Sequence, residues 1–528
     1  MSALTKRRAR VTVRVELLVL AVPFAVGALL CAVELGTRSL WIDESATYAI
    51  TAQSGAGLWH GIAHDGGNML LYYLLLHGIG VLFGHATWVM RMPSLLADAL
   101  TASLVAMLGV RLLGDRRQAV VGGVLSAVSL PLVFWGQDAR GYALMVTLAT
   151  ASMLTFLFVV EPGIGERETE PVPLSPRAAL VAYVLTTTAA LYVGFDAALV
   201  VLAQITLLPL CRVSARRVLA AIAVVAVLCL PLVALALARG SGQLFWVPAL
   251  TWQILGESML TLLSAGMSPN FHHTATTITT AIVTGIVLLG NLGIAVRLAV
   301  RTADRTTVWH LWVLVLWLVV PVGVAVLAYA VGEPVELQRV VILSMPGLAL
   351  LLSWGLTRVS ASWVPGPLLL AVLLSLRLVQ VLPIYGTSPE NWKAAVAYAA
   401  RTERASHACV AFYPQDGRQV FDYYLNQGDS GLASHLRPIL PTLPWGTVRP
   451  FVERYDTLTG SALSAATAGC STLLLVASHV GQRDGPPASR EHLRRYEQLR
   501  AALDARYAHH SMRSFGWAAP VDVISYSR

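Results

Sequence analysis

Long apolar runs recur through the first three quarters of this 528-residue chain. A helix needs about 20 apolar residues to cross a bilayer, and a spanning segment must satisfy its own backbone groups because the lipid core holds no water. The composition agrees, since 56% of the residues are hydrophobic and only 13% are charged, against about 25% charged in globular proteins. We therefore expect a polytopic α-helical membrane protein.

Basic residues set the expected orientation of these runs. Four of them, between Lys6 and Arg10, precede the first run, Glu16 to Leu35, which we interpret as a retained helix rather than a signal peptide. The positive-inside rule then places the N-terminus in the cytoplasm. We predict eleven spans, namely this run and residues 92–113, 119–135, 143–160, 178–194, 196–211, 218–238, 274–296, 309–331, 341–356 and 364–384.

The net charge of +9 comes largely from short basic clusters between the apolar runs. Such clusters are typical of membrane topology and argue against a nucleic-acid partner. The stretch Asn68 to Gly84 is apolar but short. If it crossed the membrane, Arg116 and Arg117 would lie outside, so we interpret it as an interfacial or re-entrant helix.

The composition changes near residue 386, where charged residues, prolines and short β-like runs begin. We predict a transmembrane domain over residues 1–385 and a small α/β domain over residues 386–528. An odd number of spans puts the second domain outside the cytoplasm. Cys409 and Cys470 can pair there if the compartment is oxidising, or remain free.

An acidic pair, Asp43 and Glu44, stands in the predicted first external loop, residues 36–90. Adjacent carboxylates repel each other, and charges at a membrane boundary commonly mark a functional site. The alternative is that the pair caps the helix that follows. We predict Asp43 and Glu44 as catalytic residues, with Asp43 as the base.

Two further external segments pair a carboxylate with an arginine. One is the turn from Gln137 to Tyr142 and the other runs from Glu336 to Arg339. Guanidinium groups suit phosphate because they donate hydrogen bonds in pairs, whereas snorkelling to lipid headgroups is the alternative role. The predicted phosphate-binding residues are Arg140, Arg339, Gln338 and Tyr142.

A carboxylate base and fixed cations together suit sugar transfer from a lipid phosphate. The base takes the proton of an attacking hydroxyl, and the cations stabilise the departing phosphate. Attack from the opposite face would invert the anomeric centre. The predicted substrate-binding residues are His64, Asp65, Asn68, Tyr72, Asp138 and Glu336, with Tyr73 beside them, although tyrosines also anchor membrane interfaces. We predict no cofactor or metal, since the pair His272–His273 has no acids nearby.

Four segments together resemble the GT-C superfamily of polyprenyl-phosphate-dependent glycosyltransferases, particularly the branch similar to bacterial protein O-mannosyltransferases and aminoarabinose transferases. They are Leu40 to Tyr48, Leu71 to His77, Arg91 to Leu95 and Gln137 to Tyr142. The resemblance implies that Asp43 is the catalytic residue, that Arg339 helps to bind the lipid phosphate, and that a mobile external loop at about 239–272 closes over the donor.

The chain also departs from this family pattern. Many relatives carry His-Pro-Pro or Lys-Pro-Pro before the Leu-Tyr-Tyr segment, where this chain has Asn68-Met69-Leu70, and a histidine that they place near the end of the fifth span is missing at Tyr192 to Asp196. These differences leave the sugar and acceptor contacts open.

The leading hypothesis is an inverting glycosyltransferase of the plasma membrane. Its partners would be membrane lipid, a polyprenyl-phosphate sugar of the mannose or arabinose type, and an acceptor glycolipid, glycan or protein on the outer face. The alternatives are a lipid-linked oligosaccharide ligase and a transporter or flippase. Transporters tend to carry polar groups at mid-membrane and paired repeats, neither of which the sequence shows.

Overall fold

A computed structural model describes most of the chain. The described residues are 3–161, 175–211, 215–240, 247, 249–267, 275–301, 305–333, 335–357, 360–361, 364–402, 408–427, 436–443 and 454–528. The pair His272–His273 and parts of the predicted mobile loop, residues 239–272, lie outside them.

Helices dominate the N-terminal part of the molecule. In chain order they are α1 (Ala3–Ala32), α2 (Ile42–Thr51), α3 (Ala56–His64), α4 (Leu70–Phe83), α5 (Thr87–Leu113), α6 (Arg116–Ala127), α7 (Leu130–Gly136), α8 (Tyr142–Val160), α9 (Pro176–Val193), α10 (Ala198–Leu207), α11 (Ala215–Leu228), α12 (Leu230–Arg239), α13 (Trp252–Leu262), α14 (Ala275–Arg301), α15 (Arg305–Ala330), α16 (Leu337–Val340), α17 (Met345–Leu356) and α18 (Gly366–Val381).

Within the described residues, seven helices are long and apolar enough to cross a membrane, or up to nine if each of two bent pairs is one span. The bent pairs are α6 with α7, at 62°, and α11 with α12, at 50°. Each run predicted to span coincides with a helix or a bent pair. The polytopic helical fold is confirmed, whereas the number of eleven spans stays a prediction.

The centre of the helical part is α17, all of whose residues are buried. A helix that is apolar all round needs such surroundings. It packs against α5, α6, α14 and α15, while α1 packs against α5 and α6. The short helices α2, α3 and α4 occupy the predicted first external loop. At 14 residues α4 is too short for an ordinary span, and its interfacial position stays a prediction.

The C-terminal part is an α/β unit, as predicted. Its helices are α19 (Trp392–Thr402), α20 (Gly417–Gln427), α21 (Gly460–Ala466) and α22 (Pro487–Asp504). Its strands are β3 (Ala408–Tyr413), β4 (Leu436–Leu440), β5 (Thr472–Ala477), β6 (His509–Phe515) and β7 (Val521–Ser527), and a separate two-stranded ribbon, β1 (Ser360–Ala361) with β2 (Val364–Pro365), precedes α18. The boundary at residue 386 stays a prediction.

The five strands lie in the order β4-β3-β5-β7-β6. Strand β3 runs parallel to both β4 and β5, whereas β7 is antiparallel to β5 and β6. Because side chains alternate along a strand, Val410 and Phe412 pack with α19 and α20 on one face, whereas Ala411 and Tyr413 pack with α22 on the other. A disulfide joins Cys409 to Cys470, so the structure pairs the two cysteines.

The C-terminal unit is seated directly on the first loop. The amide of Ser39 donates to Ser388 Oγ at 2.8 Å, and the amide of Leu40 donates to the Tyr424 hydroxyl at 2.6 Å. Tyr423 Oη lies 3.1 Å from Thr87 Oγ1 at the start of α5. These hydrogen bonds bring the carboxyl ends of β3 and β5 over the N-terminus of α2, the position of the acidic pair.

Candidate functional site

One cavity of about 950 Å³ lies between the helical part and the C-terminal unit. We call its helical side the membrane wall, formed by Asp43, Asp65, Arg140, Glu336 and Arg339, and its other side the C-terminal wall, formed by Glu390, Asp416, Gln419, Ser478 and His479. The charged side chains of the two walls come from seven separate stretches of sequence, near residues 43, 65, 140, 336–339, 390, 416 and 479, so their meeting depends on the tertiary fold.

Asp43 lies between two arginines in the membrane wall. It is the second residue of α2. Its Oδ2 is 3.7 Å from Arg140 Nη2 and 3.6 Å from Arg339 Nη2. Arg140 belongs to the turn between α7 and α8, and Arg339 belongs to α16. The side chain of Asp43 remains 28% exposed, so its carboxylate is accessible from the cavity while two cations stand beside it.

Glu44 has a different environment from its neighbour. It is fully buried, and Arg91 donates to its two carboxylate oxygens at 2.7 and 2.6 Å. The amide of Ala139 also donates to it, at 2.8 Å. Burial alone would raise the pKa of Glu44, but the charge and hydrogen bonds of Arg91 outweigh burial and hold it below its ordinary value. Glu44 is not among the residues that line the cavity.

The ion pair of Glu44 with Arg91 organises the loop that carries Asp43. Arg91 donates further hydrogen bonds to the carbonyl oxygens of Leu35, Arg38 and Ser39 at 3.0 to 3.1 Å. The placement indicates a structural role for Glu44, in contrast to the predicted catalytic one, because a carboxylate that is enclosed and fully hydrogen-bonded cannot reach a substrate.

Asp138 and Tyr142 also lie behind the surface of the cavity. Asp138 is fully buried and accepts hydrogen bonds from Trp41 Nε1 at 2.9 and 3.1 Å. Burial, followed by the charge of Glu44, raises the pKa of Asp138. The hydroxyl of Tyr142 accepts a hydrogen bond from Arg339. Tyr142 therefore orients a cavity residue, whereas Asp138 holds the indole of Trp41.

Asp65 and Glu336 are the other carboxyl groups of the membrane wall. Tyr73 donates to Asp65 Oδ2 at 2.8 Å, and Arg140 Nη1 lies 3.4 Å from the same hydroxyl. Burial raises the pKa of Asp65 to about 6. Glu336 forms an ion pair with Arg339, and burial raises its pKa to about 7. The two arginines thus balance three carboxyl groups.

Of the remaining predicted residues, His64, Asn68 and Gln338 line the cavity. Tyr72 does not. It is buried, and its hydroxyl lies 3.0 Å from Ser94 Oγ. The structure therefore brings together most of the predicted site residues, while Glu44, Asp138, Tyr142 and Tyr72 support the site from behind.

The C-terminal wall contains residues that the sequence analysis missed. Glu390 Oε1 is 2.7 Å from His479 Nε2, while Oε2 accepts the amide of Ile42 at 3.2 Å and Trp392 Nε1 at 3.1 Å. Burial lowers the pKa of His479, but the charge of Glu390 and their hydrogen bond outweigh burial and raise it to about 9. The sequence signal that could have indicated this wall is the set of polar residues that follow two predicted strands, because the carboxyl ends of adjacent parallel strands lie at one edge of the sheet.

In the residues that the structure describes, no three histidine, cysteine or acidic side chains lie close enough together to hold a metal ion. The predicted absence of a metal is not tested by this observation, since parts of the loops near the cavity lie outside that set.

No protein-family model and no curated protein matches the chain. Solved structures do match it. The structure of ArnT, an aminoarabinose transferase from Cupriavidus metallidurans, in the apo state has a TM-score of 0.53 at 15% identity, and covers 96% of this chain and 97% of its own. The same protein bound to undecaprenyl phosphate has a TM-score of 0.51 at 13% identity, with the same coverage.

A second similar structure is the archaeal oligosaccharyltransferase AglB from Archaeoglobus fulgidus, in complex with an inhibitory peptide and a dolichol-phosphate. Its TM-score is 0.52 at 10% identity, and the match covers 88% of this chain and 69% of AglB. Both proteins belong to the GT-C superfamily of polyprenyl-phosphate-dependent glycosyltransferases. At these identities the similarity concerns the fold, and it extends over both the helical part and the C-terminal unit: the chain has the fold of the GT-C superfamily.

Proposed function

We propose that this protein is an inverting glycosyltransferase that takes a sugar from a polyprenyl-phosphate donor. The observation that carries the proposal is the position of Asp43, a cavity-facing carboxylate with the guanidinium groups of Arg140 and Arg339 at 3.7 and 3.6 Å. A base and two cations within one cavity match what the reaction requires.

The proposed reaction is a single displacement. Asp43 takes the proton of an acceptor hydroxyl as the oxygen attacks the anomeric carbon. The new carbon–oxygen bond forms on the face opposite the bond to the phosphate oxygen, and that bond breaks. Its electron pair stays on the lipid phosphate, where Arg140 and Arg339 stabilise the charge. The configuration at the anomeric carbon inverts, because no enzyme nucleophile takes part.

The two arginines are suited to phosphate for a geometric reason. Their separations from Asp43 exceed 3.5 Å, so these contacts are ion pairs rather than short hydrogen bonds. Tyr142 and Glu336 hold Arg339 in place. A fixed guanidinium can bind a phosphate oxygen without losing much side-chain entropy.

The fold supports a lipid carrier as the donor, since undecaprenyl phosphate and dolichol-phosphate are bound in the two similar structures. We place the site on the non-cytoplasmic side of the plasma membrane. The positive-inside rule supports this orientation, and so does the disulfide between Cys409 and Cys470, because disulfides persist in oxidising compartments. Mannose and arabinose are the first donor sugars to test, with a cell-envelope glycolipid, polysaccharide or protein as acceptor.

The test is transfer of radiolabelled sugar from polyprenyl-phosphate mannose or arabinose by the purified protein in membrane lipids. Loss of a positioned general base typically lowers the rate about 10²- to 10⁴-fold, and we expect this for Asp43→Asn. The matched control is Asp484→Asn, the same substitution at an exposed position, which should transfer at the native rate. Equal rates for native protein and Asp43→Asn would remove Asp43 from the mechanism.

A further inference from the structure

Three polar side-chain atoms on the C-terminal wall are buried without a hydrogen-bond partner, and the residues that carry them line the cavity. They are Asp416 Oδ1, Gln419 Oε1 and Ser478 Oγ, and within the part of the chain that the structure describes none of them is hydrogen-bonded. The residues are only 4%, 5% and 2% exposed. Buried polar atoms are almost always paired in folded proteins, so three such atoms in one wall indicate a ligand.

The fold fixes these atoms at one edge of the sheet. Asp416 and Gln419 lie where β3 leads into α20, and Ser478 directly follows β5. Strands β3 and β5 are adjacent and parallel. The amide of Ser478 donates to the carbonyl of Tyr413 at 3.1 Å, which ties the two segments together. The three atoms therefore belong to a rigid surface, formed before any ligand arrives.

The chemistry of this surface differs from that of the membrane wall. A carboxylate oxygen and an amide oxygen accept hydrogen bonds, and a serine hydroxyl can do both. Their ligand must therefore donate hydrogen bonds. A phosphate offers mainly acceptor oxygens, which cannot pair with these acceptors, whereas the hydroxyls of a neutral sugar supply donors.

An aromatic pair lines the same cavity, and the amide of Gln415, next to Asp416, donates to the carbonyl of Arg454, next to Tyr455, at 2.9 Å. Tyr455 stacks on His492 with ring centroids 3.5 Å apart and an angle of 2° between the planes. Both residues line the cavity. Binding sites for small organic ligands typically combine such aromatic side chains with a few fixed polar groups. An apolar ring face beside three hydrogen-bond acceptors suits a pyranose or furanose ring.

We propose that the C-terminal wall is the acceptor subsite and that it binds a neutral, hydroxyl-rich sugar unit. The inference rests on the proposed function, which assigns the membrane wall to the donor phosphate. Hydroxyls of the acceptor sugar donate to Asp416, Gln419 and Ser478, and another hydroxyl reaches Asp43 as the nucleophile. His479 and Glu390 lie between the two sets of groups, since Glu390 contacts the amide of Ile42, next to Asp43.

The experiment measures binding without any donor, using the full chain in lipid nanodiscs. The ligands are α-1,6-mannobiose and an arabinofuranose disaccharide as neutral sugars, mannose 6-phosphate as an anionic sugar, and a serine- and threonine-rich peptide. Isothermal titration calorimetry gives Kd for each. We expect a neutral disaccharide to bind the native protein more tightly than the phosphorylated sugar or the peptide.

Two substitutions alter the proposed contacts singly. Asp416→Asn keeps an acceptor oxygen but removes its charge and should weaken binding of the disaccharide about fivefold, and Ser478→Ala removes a neutral hydrogen bond and should also weaken binding about fivefold. The matched controls are Asp422→Asn, in the helix α20 that follows Asp416 but outside the cavity lining, and Ser511→Ala on the exposed strand β6. Both should keep Kd within about twofold of the native value.

Several results would overturn the inference: no binding of either disaccharide, stronger binding of the anionic sugar or of the peptide, or native affinity in both variants. If Asp416→Asn does not fold, the Kd of the disaccharide for Ser478→Ala tests the inference on its own. Failure of the proposed function gives a different pattern, in which the native protein transfers no sugar from a polyprenyl-phosphate donor although the disaccharide still binds in the way described.

Discussion

The two walls of the cavity differ in how their charged and polar groups are paired. In the membrane wall every carboxyl group has a charged or hydroxyl partner: Asp43 has two arginines, Glu336 has Arg339, and Asp65 has Tyr73. In the C-terminal wall only Glu390 and His479 pair, and three acceptor atoms stay without a partner among the described residues. The first pattern suits fixed charges that stabilise a reacting phosphate, and the second suits recognition by hydrogen bonds.

The difference also has a structural origin. The membrane wall is carried by helix ends, and a buried ion pair, Glu44 with Arg91, locks the loop beneath it. The C-terminal wall is carried by segments that follow two sheet strands. We therefore expect substitutions behind the membrane wall to affect stability most, and those in the C-terminal wall to affect binding while the fold remains.

The largest expected effect is that of Glu44→Gln. Breaking a buried ion pair while leaving one charge behind typically costs about 3–5 kcal/mol, because Arg91 would be buried without a counter-charge. We expect a large fall in the thermal unfolding midpoint in nanodiscs, measured by tryptophan fluorescence. The double variant Glu44→Gln/Arg91→Met removes both charges and should recover part of the loss. A midpoint equal to that of the native protein would contradict the role assigned to Glu44.

A smaller effect, a fall in kcat, is expected for Arg339→Lys in the membrane wall. Arg339→Lys keeps a positive charge but removes the planar fork that contacts Tyr142, Glu336 and Asp43. Removing one group that stabilises transition-state charge commonly lowers kcat about 10²-fold, and lysine is a poor substitute for a paired guanidinium. Transfer assays at saturating donor test this.

The control is Arg401→Lys, at an exposed position in the last turn of α19. It should leave kcat unchanged. A kcat for Arg339→Lys within about twofold of the native value would show that the guanidinium geometry does not contribute, and would weaken the contrast between the two walls.

The convergence of Asp43, Arg140 and Arg339 could be anticipated from sequence because it depends on topology. Apolar runs and basic clusters predict which loops lie on one side, and segments on one side can meet. The apolar helix α4 of the first loop and the α/β unit were also predictable, the first from its apolar run and the second from its mixture of short β-like and helical patterns. The number of spans was not predictable, because bent helix pairs and short apolar helices do not show from their length alone whether they cross the membrane.

Other parts of the site could not be derived from the sequence. Nothing local distinguishes Asp43 from Glu44, and their different environments arise because Arg91, 47 residues away, points at only one of them. The C-terminal wall depends on strand order, since the segment that carries Ser478 lies beside the segment that carries Asp416 only because β5 pairs with β3. Pairing between strands that are distant in sequence leaves no periodic signal in a single chain.

A moderate effect is expected for Tyr73→Phe, which removes the hydroxyl that donates to Asp65. A hydrogen bond to a charged group contributes about 1.5–3 kcal/mol. Because this bond lowers the pKa of Asp65, and burial has already raised that pKa to about 6, its loss should raise the pKa further. If the ionised form of Asp65 supports transfer, the acidic limb of the pH–rate profile moves to higher pH. The control is Tyr192→Phe, since the Tyr192 hydroxyl donates to a backbone carbonyl outside the cavity lining. If the acidic limb of the pH–rate profile did not move in Tyr73→Phe, Asp65 would be excluded from catalysis.

The smallest effect concerns the contact between the two walls. The folded-state pKa of His479 is raised to about 9 from an ordinary value of 6.5, and Glu390, Asp43 and Asp416 are the acidic groups that face it. A histidine with a raised pKa stabilises the fold fully below about pH 6.5, and that contribution disappears as the pH rises through about 9. Native protein should therefore unfold at a higher temperature than His479→Gln at pH 6, and the gap should close by pH 9.5.

His509→Gln, on the exposed strand β6, is the matched control and should show no such gap. The outcome also bears on how the walls are joined. Glu390 contacts both His479 and the amide of Ile42, the residue before Asp43. Loss of the histidine charge would therefore leave the Glu390 carboxylate without its cation at a position close to Asp43. If the gap between native protein and His479→Gln stayed constant with pH, the ion pair would contribute nothing to stability. Other hydrogen bonds, among them those of Ser39, Leu40 and Thr87, would then hold the C-terminal unit on the first loop without help from the ion pair.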